Sequence, residues 1–278
     1  MGGKNKFRKA QFWGKFYPRD KEKLREVVSG CVVGSRENIM AAIAPHAGYQ
    51  FSGKLAGEVL SQFPEKETFI LLGVNHGGIG KRLSFSREDF ETPLGKVKNN
   101  GDMTNKLKST LKEIGSGVNE KAHDLEHSLE VLLPFLQVSQ EEKFKIVPLL
   151  LKDLDYGDCA KVAEKLAEFV NKDVAVIASS DFTHYGERFG FKPFMDNVKG
   201  NLYKLDNKVI EKILAGKPKE VFELANQSTI CGSNGLTVLT ELARLKEWKS
   251  RKVNYYTSGD ITGQWMNVVG YGGLVFYS

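Results

Sequence analysis

Apolar runs of strand length alternate along this chain with stretches whose apolar positions recur every three or four residues. The runs at 39–44, 69–74, 144–151, 174–178, 253–257 and 274–277 predict β-strands. The stretches of helical period predict helices near 20–29, 52–62, 103–114, 124–136, 157–170, 197–214, 218–225 and 234–247. Over 124–136 the buried stripe is expected to be Leu125, Leu129, Leu132 and Leu136, with Pro134 kinking or ending the helix because proline lacks an amide hydrogen and crowds the preceding turn. The helix over 197–214 carries Leu205, Val209 and Ile213 on one face, and Gly216 suits a left-handed C-terminal cap. Strand–helix alternation of this kind predicts an α/β architecture, and with no internal repeat, low-complexity tract or linker, one domain is expected.

Element order also predicts where chemistry collects. Strand 39–44 runs into His46, strand 69–74 into His76, and strand 174–178 into Ser179, Ser180, Asp181 and His184. Parallel strands open their carboxyl ends along one edge, where such sheets bind ligands. Two strand-end histidines on adjacent strands would then share the reach of one ion.

All five histidines sit in short runs rich in glycine, proline, hydroxyl or carboxylate residues: Pro45-His46-Ala47-Gly48-Tyr49, Asn75-His76-Gly77-Gly78, His123 to Glu130, and Asp181-Phe182-Thr183-His184-Tyr185-Gly186. Imidazole both binds metals and moves protons near neutral pH, so the distribution points to one convergent polar site. His46 or His76 alone would serve as well as a turn residue. His123 and His127 are four apart, a spacing zinc hydrolases use, but Asp124 stands where those enzymes place glutamate. His127 and Glu130 share a helix face, so the favoured reading is a carboxylate that fixes the imidazole tautomer, while His123 suits the surface. Asp181 and His184 form a candidate acid/base pair. Cys231 precedes a helix striped by Leu236, Leu239, Leu242 and Leu245; a helix N-terminus lowers a thiol's pKa, so a thiolate ligand or nucleophile stands level with a small buried hydrophobe. Cys31 and Cys159 are expected to pack. No Gly-x-Ser-x-Gly elbow surrounds Ser179 or Ser180, and neither Gly77–Gly80 nor Gly270–Gly273 fits a nucleotide fingerprint.

Composition narrows the partners. The 278 residues, 41% of them hydrophobic, can bury a sizeable core. The formal charge of +6 is dispersed among carboxylates, so no nucleic-acid surface is expected; the one cluster, Lys4, Lys6, Arg8 and Lys9, is expected to be a frayed, solvated terminus. Three widely spaced cysteines make no disulfide framework and suit a reducing compartment. No signal-peptide pattern and no run of eighteen apolar residues occurs, so neither export nor membrane spanning is expected and the cytoplasm is the default.

Several of these motifs occur together in a recognisable order: Phe16-Tyr17-Pro18, Pro45 to Tyr49 with Ser52-Gly53, Leu72-Gly73-Val74-Asn75-His76, Thr92-Pro93-Leu94-Gly95, Glu126 to Val131 with Leu133-Pro134-Phe135, Ser179 to Gly186, and Cys231-Gly232. In this the chain resembles the Memo family, named for a mediator of cell motility, across nearly its whole length. Val74 stands where proline is expected and Phe90 where tryptophan is expected. The resemblance implies one domain over 1–278, with a central mixed, largely parallel sheet covered by helices on both faces, similar to the class III extradiol dioxygenases. Those non-haem iron enzymes hold their metal with two histidines and a carboxylate. Memo-like sequences place a cysteine where the carboxylate stands, which maps the metal ligands onto His46, His76 and Cys231. His184 then matches the acid/base histidine, with Asp181 and His127 beside the pocket, and Tyr49, Asn75 and Glu130 are candidate substrate contacts. The implied cofactor is one transition-metal ion, iron or copper ahead of zinc, and the expected activity is a metal-dependent, dioxygenase-like oxidation. A non-enzymatic module binding a phosphotyrosine-like or other anionic peptide ligand in the same pocket is the alternative.

Overall fold

A computed structural model describes residues 7–32, 37–141 and 143–278. Its strands are β1 (Phe7–Arg8), β2 (Ile39–Ala44), β3 (Thr68–Val74), β4 (Leu83–Phe85), β5 (Asp89–Thr92), β6 (Gly95–Asn99), β7 (Ser116–Val118), β8 (Lys145–Leu151), β9 (Val174–Ser179), β10 (His184–Tyr185), β11 (Lys249–Thr257) and β12 (Val268–Tyr277). The α-helices are α1 (Lys21–Ser29), α2 (Lys54–Leu60), α3 (Gly101–Thr110), α4 (Glu120–Asp124), α5 (Leu133–Ser139), α6 (Tyr156–Ala167), α7 (Val198–Leu214), α8 (Pro218–Asn226), α9 (Ser233–Leu245) and α10 (Ser258–Thr262).

One mixed sheet runs in the order β1-β5-β6-β8-β3-β9-β2-β12-β10, with β11 paired to β12 and β4 to β8. Its centre is parallel: β6, β8, β3, β9 and β2 all run the same way. β12 joins β2 antiparallel and carries β11 and β10 in the same sense. Every residue of β2 and β9 is buried, as a parallel strand covered on both faces must be, which is why these segments appear as continuous apolar runs. The pleat sorts side chains between two cores: Ile70 and Leu72 face Val162, Val209 and Leu239 of α6, α7 and α9, whereas Phe69 and Leu71 face Leu24, Val59 and Leu136 of α1, α2 and α5. Helices therefore cover both faces, as expected.

Three sequence expectations need correction. The first is that His46 and His76 lie on adjacent strands: β9 stands between β3 and β2, so the ends of three strands, not two, meet at the site. Second, no helix spans 124–136. α4 ends at Asp124, residues 125–129 are irregular, and a short 3₁₀ turn, Glu130–Leu132, leads into α5. The Arg8 guanidinium donates to the carbonyls of His123 (2.6 Å) and Glu126 (2.9 Å), competing for acceptors that a continuous helix would use internally. Leu125 is consequently exposed, and Pro134 opens α5 in its first turn, where a missing amide hydrogen costs nothing. Third, Arg8 is not solvated; it is 1% exposed and paired with Glu130, its guanidinium lying over the Phe90 ring. Lys4 and Lys6 lie outside the described residues.

The helix expected over 52–62 starts earlier, with a π-helical turn at Tyr49–Gly53 that feeds α2. The strands missed, β1, β4, β5, β6, β7 and β10, have two to five residues each, too few to show a period. No helix among the described residues is long and apolar enough to cross a membrane.

Candidate metal centre

The carboxyl ends of β2, β3 and β9 deliver His46, His76 and Ser179 to one point, and the irregular segment after α4 delivers His127. One ring nitrogen from each of His46, His76 and His127 lies within 4.8 Å of the other two. The His76 and His127 rings stack at 4.8 Å between centroids, 18° from parallel, and both stand edge-on to His46.

Hydrogen bonds assign the tautomers. The Ser179 hydroxyl donates its single proton to the Ser128 carbonyl (2.6 Å), so towards His46 Nδ1 (2.8 Å) it accepts. His46 therefore carries its proton on Nδ1 and presents the lone pair of Nε2. The same geometry means that Ser179 is no nucleophile awaiting a base. The Glu126 carboxylate accepts from His76 Nδ1 (2.9 Å) and lies 3.3 Å from His127 Nδ1, leaving Nε2 of both rings for other work. Glu126 also accepts the backbone amides of His76 and Ser128, each at 2.8 Å. Burial alone would raise the Glu126 carboxyl, but the hydrogen bond and charge of His76, then His127 and the Ser128 amide, outweigh it and hold the group down at about 2. Burial, reinforced by the neighbouring imidazoles, pushes His46 and His127 each down to about 3, so both are neutral at pH 7.

Cys231 stands at the His46 side of the cluster, with Sγ 3.3 Å from His46 Nε2 and 3.6 Å from the Asp181 carbonyl. Burial, and after it the Asp181 charge, raise this thiol well above its ordinary value. The direction is opposite to that expected of a thiol ahead of a helix: enclosure outweighs the α9 N-terminus and, without a metal, favours the S–H form. Gly232 is required beside it, because a Cβ there would meet the Ser180 Cβ at 2.4 Å.

Asp181 and His184 are not joined by a hydrogen bond. Asp181 Oδ1 accepts the His46 backbone amide (2.8 Å), and burial raises its carboxyl despite the opposing His184 charge and the His46 amide. His184 Nδ1 donates to the Thr229 carbonyl (3.1 Å), leaving Nε2 free, and the ring packs against Phe189.

The candidate substrate contacts fare differently. Glu130 is 0% exposed: it accepts from Arg8 Nη1, the Tyr17 hydroxyl, and the amides of Gln11 and Phe12, so no capacity or access is left for substrate. The Asn75 side chain donates to the Ile79 carbonyl and closes the turn after β3. The Tyr49 hydroxyl is spent on the Val131 carbonyl, while the residue lines a neighbouring cleft. His123, expected at the surface or as a zinc partner of His127, is buried, with Nε2 on the Ser84 carbonyl (2.8 Å).

Glu126 was missed as a functional residue. It lies in the Glu126-His127-Ser128 run, but helical spacing favoured Glu130, and only the loss of that helix puts Glu126 beside the rings.

The cleft next to the cluster encloses about 620 Å³ and is lined by Phe16, Tyr17 and Tyr49 together with Lys15, Arg19 and Lys23. Its Phe16 ring lies 4.5 Å from the His127 ring.

A family model described as Memo-like protein matches residues 8–275 of this chain. Similar proteins, each described as a MEMO1 family protein, occur in Archaeoglobus fulgidus (35% identical, covering 95% of this chain and 97% of that one) and Methanosarcina barkeri (34%, covering 94% and 97%). Another, from Pyrococcus furiosus, is 33% identical over 96% of this chain and 98% of its own. The solved structure of an uncharacterised protein from Escherichia coli K12 superposes with a TM-score of 0.55 at 12% identity, covering 84% of this chain and 99% of that one, which shows a shared fold.

Proposed function

Starting from the fact that the chain belongs to the Memo-like family, we propose that it holds one transition-metal ion on His46, His76 and His127, with Cys231 as a flanking donor, and works as a metal-dependent oxidoreductase on a small phenolic or aromatic molecule or on oxygen. The observation that carries this reading is the set of second nitrogens: Nδ1 of His46 is held by Ser179, and Nδ1 of His76 and His127 face Glu126, the outer contacts that metal-ligating histidines make. Three imidazoles beside a thiol fit a borderline or soft transition metal, iron or copper, better than a hard, oxygen-seeking ion. Such an ion would supply Lewis acidity and one-electron redox capacity. The chain's own part is to keep His46 and His127 unprotonated by burial, to fix their ring orientations, and to offer His184 Nε2 as a proton carrier anchored on Thr229. Cys231, protonated when no metal is bound, would release its proton on joining the donor set, so uptake should strengthen as pH rises.

Metal analysis after anaerobic purification and after reconstitution with iron(II) or copper(I) tests the proposal. Close to one equivalent is expected, with His46→Ala and His127→Ala both abolishing uptake. Less than about a tenth of an equivalent in the wild-type chain after reconstitution refutes it, since a tight site fills.

One observation favours a second reading, an anion-binding module. Among the described residues, Lys15, Arg19 and Lys23 at the cleft have no carboxylate within ion-pair distance. Calorimetry with phenyl phosphate and phosphotyrosine peptides on the metal-free chain separates the two: binding without metal and without turnover supports the module, and no heat at millimolar ligand removes it.

A further inference from the structure

His127 is the one member of the cluster carried by neither a strand end nor a helix. The 125–129 backbone is irregular, so beyond the Glu126 carboxylate the direction of the imidazole depends on what packs against it from outside. The segment 7–17, more than a hundred residues away in sequence, makes the contacts that do so. Arg8 spans the loop from before His127 to after it, donating to the carbonyls of His123 and Glu126 and to the Glu130 carboxylate. A guanidinium fork is suited to holding several acceptors in one geometry. Glu130 in turn accepts the amides of Gln11 (3.1 Å) and Phe12 (2.8 Å) and the Tyr17 hydroxyl (2.5 Å), so one buried carboxylate fastens the segment near both its ends.

Between those fastenings the segment lays two rings on His127. Phe12 lies 5.6 Å away at 56°, and Phe16 lies 4.5 Å away at 34°. His76 stacks on the same imidazole at 4.8 Å and 18°. The imidazole therefore has His76 stacked on it and Phe16 tilted against it in close ring contact.

We infer that residues 7–17 are a strap that orients His127 for ligation, with Phe16 as its positioning residue. The ligation half of this rests on the proposed metal site; the orientation half does not. Phe16 is half-buried, and its backbone bonds to the Phe12 carbonyl and the Tyr49 amide survive truncation of the ring. Removing it should therefore free the imidazole without dismantling the strap.

The test uses the full chain with Phe16→Ala and the aromatic replacement Phe16→Tyr. In the metal-free protein, long-range ¹H–¹⁵N spectra of His127 should show one tautomer in wild type and Phe16→Tyr, and averaged ring signals in Phe16→Ala, with the unfolding midpoint nearly unchanged. Titration with cobalt(II), followed by its visible bands, should then be about tenfold weaker in Phe16→Ala, the low end of what loss of an orienting contact does to a metal site. Unchanged His127 ring signals in Phe16→Ala overturn the inference, as does a lowered midpoint with those signals unchanged, which would make the contact structural only. A wild-type chain that takes up no cobalt refutes the metal site, while the ring spectra still decide the strap.

Discussion

Acidification should cost the metal-free protein much of its stability between pH 7 and pH 5, above the ordinary range of carboxylates. Two buried histidines, His46 and His123, and the half-buried His127 are responsible. His46 and His127 are pushed from 6.5 down to about 3 and His123 to about 4, each by burial first. A histidine whose folded pKa lies below its unfolded one is protonated in the unfolded chain first. Its contribution is therefore intact above pH 6.5 and is lost progressively as pH falls towards the folded value. Each contributes a loss of about 2 kcal/mol over this window, or about 6 kcal/mol for the three. Asp206 opposes them. Buried against Thr183 and Tyr255, its carboxyl is raised by burial to about 6, so the folded state takes up that proton first and gains about 1 kcal/mol over the same window. Asp181, also raised by burial, acts in the same direction. Glu126, held at about 2, is ionised throughout and drops out. The net loss is at most about 5 kcal/mol, a large part of the ~5–15 kcal/mol that stabilises a typical domain.

Urea unfolding in the presence of a chelator, repeated every half pH unit, measures this directly. The variant His123→Gln sharpens the test, because the glutamine amide can keep the bond to the Ser84 carbonyl without titrating. It should remove about 2 kcal/mol of the pH dependence. A wild-type loss below about 1 kcal/mol between pH 7 and pH 5 would refute the view that these imidazoles are enclosed and neutral.

Two further outcomes are expected. Glu126→Gln keeps the shape of the carboxylate but turns an amide donor towards groups that themselves donate, so metal affinity measured by competition with a chelator should fall about 10- to 100-fold; a change within twofold would remove Glu126 from the site. Arg8→Met strips the partner from a fully buried carboxylate and should destabilise the fold by about 3–5 kcal/mol in denaturant unfolding, whereas a truly frayed terminus would give no change.

The large elements were legible in the chain because their burial imposes a period on the sequence. β2 was anticipated residue for residue, β9 and α7 to within a residue, and the strand ends did collect His46, His76 and the Ser179–His184 loop. The site was legible as a set of residue types but not as an arrangement. Glu126 and Glu130 flank His127 in one short run and look interchangeable by composition, yet one faces two imidazoles and the other is sealed beneath Arg8.

What the amino-acid order determined by itself was the alternation of strands and helices and the loops in which histidine is concentrated; these follow from local periodicity and turn chemistry, which each segment carries within itself, whereas the largely parallel sheet covered on both faces was implied by the family resemblance. Only the tertiary structure decided that β9 separates β3 from β2, that 125–129 leaves the helix, and that Glu126 faces the imidazoles while Glu130 fastens the N-terminal segment. The last two depend on a guanidinium at position 8 outcompeting local backbone hydrogen bonds more than a hundred residues away, and no window along the chain contains both partners of that competition.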